Sequence, residues 1–369
     1  MGMRQRRSSA TWLLLAWLLL IVFASLYPFE PWRWPPGQEW PDLLALPWPR
    51  KLITFDVNSN LVGYAPLGLL VFAAMVRSGR SMRAALWFAL LAGPLLSFGM
   101  EVLQNFLPER VPSRSDWLFN SLGSTAGVLI GLALNALGAL SRWQDWRDDW
   151  FEPHSAGALA LLALWPMALL FPAPVPLGLG QWLPHLQDWA AELLEGTAWL
   201  QGWFDADEPV LRALPPGFEA IATALGLLGP ALLALVIGRR GWQRVLLVAG
   251  TAGVGVAVSA LSTALNFGPQ HAWAWISPPT LPGLLLGGVL ALLAVPLPRR
   301  VNAALGLVVL SSLIALVTHA PADPYLSLSL RGWEQGRFIN LYGLAQWLGW
   351  VWPFAALVWL LGFAGRRNL

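Results

Sequence analysis

Residues 55–68 read FDVNSNLVGYAPLG, and residues 101–131 read EVLQNFLPERVPSRSDWLFNSLGSTAGVLIG. Carboxylates, amides and arginines here stand at the ends of long apolar runs. Asp56 and Asn60 are spaced i, i+4, as are Asp116 and Asn120, and Glu101 and Gln104 are spaced i, i+3. On helices each pair shares one face. An ionisable side chain in a membrane span costs roughly 2.5–3.5 kcal/mol at the bilayer centre and less near the interface, so one that is retained marks a functional site.

The surrounding composition makes these runs membrane spans. The chain has 369 residues, 56% hydrophobic and 12% charged, with mean hydropathy +0.56, where soluble domains carry about 25% charged residues. Alternating strand patterns of barrel length are absent, so the predicted fold is all-α, a polytopic transmembrane helical bundle. The chain has no Cys, which excludes disulfides, thiolate catalysis and Cys-based metal sites. Its four His, at 154, 185, 271 and 319, are far apart, and no HExxH-like spacing occurs. The net charge of +3 comes with arginines scattered in small groups, which gives no case for nucleic acid. Nothing in the sequence calls for a cofactor or a bound metal.

About ten spans are predicted, each near the ~20 residues a bilayer needs. They cover roughly 11–27, 57–76, 84–106, 117–140, 156–172, 218–238, 245–266, 281–297, 301–318 and 343–364. The first follows Arg4, Arg6 and Arg7, as a signal peptide would. Its long apolar stretch and the lack of a clear A-x-A site favour an uncleaved span. Segment 173–216 is a long connection, with Trp182, Leu186, Trp189, Leu193 and Leu194 at helical spacing among acids. It reads as an amphipathic helix on the membrane or on the protein.

Threading ten spans from a cytoplasmic N-terminus puts Arg77, Arg80 and Arg83, Arg142 and Arg147, Arg239, Arg240 and Arg244, Arg299 and Arg300, and Arg366 and Arg367 inside. That is the positive-inside pattern and makes both termini cytoplasmic. Asp56, Glu101, Gln104, Arg110, Asp116 and Asn120 then all fall at the outer side.

The block resembles the VanZ-like family of bacterial membrane proteins. The resemblance covers roughly 10–140 and rests on Asp56-x-x-x-Asn60 continuing into Pro66-Leu67-Gly68, on Glu101-x-x-Gln104, on Pro108 and Arg110, and on Ser113, Asp116, Asn120, Gly123 and Gly127. It implies an integral protein of the bacterial cytoplasmic membrane. In some members it implies tolerance to teicoplanin-type glycopeptide antibiotics, an antibiotic-resistance role in the cell envelope. The implied partners are membrane lipid and a lipid-linked cell-wall precursor.

An internal repeat is also visible. QNFLPER at 104–110 aligns with LNFGPQH at 265–271, and Phe55-Asp56 and Pro66 align with Phe218-Glu219 and Pro230. Gly127 aligns with Gly288, while Ser262 stands for Glu101 and Ser277 for Asp116. Phe338-Ile339-Asn340 and Pro353 resemble the opening of a third copy. The plan is a degenerate parallel repeat of a four-helix unit: 1–145, a VanZ-like domain with the polar site; 146–300, a degenerate second copy; and 301–369, two C-terminal spans.

The candidate binding residues are Asp56, Asn60, Glu101, Gln104, Arg110, Arg114, Asp116 and Asn120. Glu101 and Asp116 are the candidates for any general acid–base role. Glu101 has two readings: an ion pair with Arg110 or Arg114 joining two helices, or a ligand-binding or catalytic carboxylate. Arg110 and Arg114 suit a phosphate or carboxylate, or else lipid headgroups. Asp116 also suits a helix N-cap, and Gly123, Gly127 and Gly131 suit close helix packing. A hard cation among Asp56, Glu101 and Asp116 is not favoured, since no His lies near. The alternatives to an envelope-binding protein are a membrane enzyme acting on a lipid-linked phosphate, and a transporter.

Overall fold

The computed structural model describes residues 9–27, 29, 31–37, 39–52, 54–153, 155–171, 173, 175–182, 214–318, 320 and 339–365. Most of the 173–216 connection, with His185, therefore lies outside the described residues, as do Arg4, Arg6, Arg7, His154, His319, Phe338, Arg366 and Arg367. The described chain is α-helical, with one isolated antiparallel bridge between Phe151 and Gly238. Among the described residues, seven helices are long and apolar enough to cross a membrane. These are the helices of a multi-pass membrane protein. Three shorter apolar helices, Ala10–Leu26, Ala156–Ala168 and Thr280–Ala294, coincide with the other expected spans.

The chain divides into two compact units, Met1–Asp149 and Trp150–Leu369. The first holds α1 (Ser9–Leu26), the short α2 (Trp40–Leu44), α3 (Thr54–Arg77), α4 (Met82–Gln104) and α5 (Arg114–Ala136). Helix α6 (Ala139–Trp150) ends it. Helix α3 packs against α1, α4 and α5, and α4 also packs against α5. The tightest crossing joins α3 to α5, and small residues make it. A Cβ on Gly123 would stand 2.3 Å from the Leu61 carbonyl oxygen, and one on Gly127 1.8 Å from that of Ala65. One on Gly131 would meet Phe72 at 2.8 Å. Contacts that advance together along both helices mean that α3 and α5 run parallel.

The second unit holds α7 (Ala156–Ala168), α8 (Pro216–Ile237), α9 (Trp242–Phe267), α10 (Thr280–Ala294), α11 (Arg299–Thr318) and α12 (Ile339–Ala364). Helix α8 lies at its centre, buried almost continuously from Ala222 to Ile237. It packs against α7, α9, α10 and α11, and α12 packs on α7 and α11. The last two helices, α11 and α12, thus share this core with the helices before them. Its crossing of α8 by α10 again uses glycines: a Cβ on Gly283 would lie 2.6 Å from Ala220 O, and one on Gly287 2.7 Å from Ala224 O. Gly288, the residue aligned with Gly127, faces open space. Gly287, and not Gly288, therefore stands at this crossing.

Candidate functional site

The C-terminal end of α1, the start of α3, the end of α4 and the start of α5 meet at one end of the first unit. Local signals place them there. Ser113, in extended conformation, is the N-cap of α5, and its hydroxyl accepts from the Ser115 amide at 3.2 Å. Asp116 stands in the first turn rather than at the cap, where its charge suits the helix dipole. Asp116 lies against Ser115, Asp56 and Asn60, and Ser115 Oγ donates to its Oδ1 at 3.3 Å. Asp56 is exposed and Asn60 half-buried. The two carboxylates and the amide form a mouth between α3 and α5.

Glu101 is 3% exposed. Its Oε2 accepts from the Ser113 amide at 2.7 Å. Among the described residues it makes no ion pair, so the expected bridge to Arg110 or Arg114 is replaced by a backbone contact from the α4–α5 loop. The cause is chain geometry: Ser113 N–H is an orphan donor at a helix start, and the carboxylate reaches it.

Gln104 and Arg110 serve α1 instead. Gln104 Nε2 donates to Ser25 O at 3.0 Å. Arg110 Nε donates to Tyr27 O at 2.8 Å, and Nη2 to Ala24 O at 3.2 Å and to Tyr27 O. These are the carbonyls that the end of α1 leaves without intrahelical donors. Burial lowers the affinity of the Arg110 guanidinium for its proton, partly offset by Glu109 and Tyr27. Arginine stays cationic regardless. Arg114 is exposed, and its amide donates to Pro47 O at 2.9 Å, tying the 31–52 loop to the mouth. Arg33 N, on Phe106 O at 3.0 Å, ties the same loop to the α4–α5 turn.

Beneath the mouth runs a polar seam that the i, i+4 spacing extends from residues already singled out. Asn60 leads to Tyr64, Glu101 back to Ser97, and Asn120 on to Ser124. Tyr64 is 6% exposed, Asn120 5%, and Ser97 and Ser124 0%. Asn120 Nδ2 donates to Ser97 Oγ at 3.0 Å. Tyr64 Oη lies near Ser97, Ser25 and Glu101 but reaches hydrogen-bond geometry with none. Ser124 is clasped between two glycines: a Cβ on Gly93 would sit 2.3 Å from its Oγ, and one on Gly68 1.9 Å from its carbonyl oxygen. Asn60 Nδ2, Tyr64 Oη, Asn120 Oδ1 and Ser124 Oγ are buried without a hydrogen-bond partner among the described residues. Tyr64, Ser97 and Ser124 were missed by sequence reasoning, because a single hydroxyl in an apolar helix carries no charge to flag it.

The structure thus brings Asp56, Asn60 and Asp116 together at the mouth and Glu101 and Asn120 into the seam. Gln104 and Arg110 turn toward α1, and Arg114 stands on the rim. Among the described residues, no three His, Asp or Glu side chains are placed to hold a metal ion. In the second unit, Ser277 Oγ donates to Glu219 Oε1 at 2.6 Å and contacts Thr280 Oγ1 at 2.7 Å. A carboxylate there also bridges two helix starts, α8 and α10, and its Ser277 partner is the residue aligned with Asp116.

No match was found among curated proteins or among solved structures. The VanZ/LLP1 family profile matches residues 10–135, the segment that contains α1, α3, α4, α5, the mouth and the seam. Over residues 10–135 the chain is similar to the VanZ/LLP1 family.

Proposed function

We propose that the protein is a ten-span resident of a bacterial cytoplasmic membrane, with both termini inside and the mouth of its first unit open to the cell exterior. There the mouth binds a lipid-linked envelope component and alters how glycopeptides of the teicoplanin type meet it. The observation that carries this reading is the gathering of Asp56, Asn60 and Asp116 at one end of the first unit, while Arg77, Arg80 and Arg83 mark the opposite ends of α3 and α4. Arginine-rich ends stay in the cytoplasm. Two carboxylates within Coulombic reach of each other recognise a positively charged group, such as an amine on the envelope component. Arg114 offers a rim contact to the lipid phosphate.

The second unit is read as a degenerate copy of the first, with α7, α8, α9 and α10 standing for α1, α3, α4 and α5. Support comes from the same helix pairs in contact, and from glycines four apart closing the main crossing in each. An enzyme that grips phosphate through Arg110 has less support, because Nε and Nη2 of that residue already serve α1 carbonyls. The test is teicoplanin tolerance of cells carrying Asp56→Asn or Asp116→Asn at matched membrane abundance. Tolerance should fall in both. Unchanged tolerance in both removes the mouth from the mechanism.

A further inference from the structure

We propose that the seam between α3, α4 and α5 is a binding site for one monovalent cation of sodium's size. The ligands are the free oxygen of Glu101, the carboxamide oxygen of Asn120, and the hydroxyls of Tyr64 and Ser97, with Ser124 one helical turn deeper.

Several of these groups lack a hydrogen-bond partner among the described residues. Buried polar atoms in native proteins are nearly always paired, and each exception calls for an explanation such as a water or an ion. Here Tyr64 Oη, Asn120 Oδ1 and Ser124 Oγ are unpartnered together, on residues no more than 6% exposed. Turning the Asn120 carboxamide over does not help, since Ser97 Oγ satisfies one terminal atom and the other stays unpartnered. Glu101 adds a carboxyl group whose Oε2 accepts from the Ser113 amide, leaving Oε1 to a ligand. Among the described residues no cationic side chain forms an ion pair with Glu101.

Chemistry and size then select the ligand. All the available atoms are hard oxygens, which suits an alkali or alkaline-earth ion rather than a softer metal. A single carboxylate balances one positive charge, whereas a divalent ion buried there would keep a net charge in low dielectric. The helices are nearly in backbone contact around the site, with Ser124 pressed between Gly68 and Gly93 and Gly123 against Leu61. Such spacing leaves no room for an organic cation. The polar mouth at Asp56 and Asp116 supplies an entrance that favours positive charge. This inference is separate from the reading of the mouth: it concerns what lies beneath, and the two fail independently.

The experiment is thermal unfolding of the purified full-length protein, followed by tryptophan fluorescence, with sodium chloride replaced by choline chloride at constant ionic strength, at pH 6 and pH 8. A ligand that binds only the folded state raises Tm with the logarithm of its concentration. The wild type should gain several degrees in sodium over choline at pH 8, with a smaller gain at pH 6. Glu101→Gln, Asn120→Ala and Ser97→Ala, each compared with its own choline baseline, should lose most of that gain. If Glu101→Gln does not fold, the other two carry the test. Equal Tm in sodium and choline at both pH values overturns the proposal, including the case where Tm responds to pH alone. An equal sodium gain in wild type and variants also overturns it, because the ion then binds elsewhere.

Discussion

Replacing Gly127 by Ala tests the crossing that holds the candidate site in shape. The new Cβ would stand 1.8 Å from Ala65 O, 2.8 Å from Ala65 C and 3.0 Å from Leu69 N. Ordinary carbon contacts lie at about 3.5–4.0 Å, so α3 and α5 must part by roughly 1.5 Å. No rotamer change relieves the clash, because every obstacle is main chain of the neighbouring helix. Overpacking of this kind costs about 1–3 kcal/mol. The parting also loosens the contacts at Gly123 and Gly131, since a gap of about 0.5–1 Å forfeits a quarter to a half of each dispersion well. That sets the cost near the top of the range, about 3 kcal/mol. Helix propensity returns about 1 kcal/mol for Gly→Ala, leaving a net loss of about 2 kcal/mol. Gly99, on α4, meets nothing within 4 Å, so Gly99→Ala should keep only the gain. Unfolding of the purified protein in a denaturing-detergent titration should separate the two variants by about 3 kcal/mol, more than a hundredfold in the folding equilibrium. The same assay on Gly287→Ala and Gly288→Ala should repeat the contrast in the second unit, with only Gly287→Ala destabilising. If Gly127→Ala unfolds with the wild type, the α3–α5 crossing is not as close as described and the geometry of the mouth falls with it.

Other consequences follow from single contacts. Arg110→Ala strips the donors from Ala24 O and Tyr27 O and should cost about 1–3 kcal/mol; any loss of tolerance should vanish once membrane abundance is matched. Arg244, 1% exposed, donates from Nη1 to Val295 O at 2.8 Å and to Leu297 O at 2.9 Å. Arg244→Ala should therefore lower Tm and raise proteolytic sensitivity near the end of α10. Ser113→Ala removes the N-cap of α5 and should cost about 1 kcal/mol, while leaving the Glu101 contact, which uses the Ser113 backbone, in place.

Helix identity was legible in the apolar runs, and the shared face of Asp116 and Asn120 was legible in their spacing. What each polar residue touches was less so. For Glu101 the sequence left an ion pair beside a ligand-binding or catalytic role, and neither named the Ser113 amide, because side-chain charges can be counted in a sequence and free backbone donors cannot. Gln104 and Arg110 read as a ligand grip, yet their partners are carbonyls of Ala24, Ser25 and Tyr27, some eighty residues earlier. Only the folded meeting of α1 with the α4–α5 loop reveals them. Asp116 resembled an N-cap, but Ser113 takes that position because the chain stays extended through it. The seam escaped notice for a different reason. Tyr64, Ser97 and Ser124 each fit an apolar helix one at a time, and their significance lies in meeting from three helices. Which glycine of the Gly287-Gly288 pair packs at the α8–α10 crossing was hidden, because the two are adjacent and only packing chooses.

In the proposed topology the mouth at Asp56, Asn60 and Asp116 opens to the exterior. The chain has no Cys, so a single introduced thiol reports without background. Asn58 is exposed beside the mouth, and Arg80 is exposed at the opposite end of α3. The measurement is labelling of Asn58→Cys in intact cells by a membrane-impermeant maleimide, with Arg80→Cys as the control. Labelling of Asn58→Cys before permeabilisation, and of Arg80→Cys only after it, is the predicted result. The reverse pattern would turn the mouth to the cytoplasm and contradict the account.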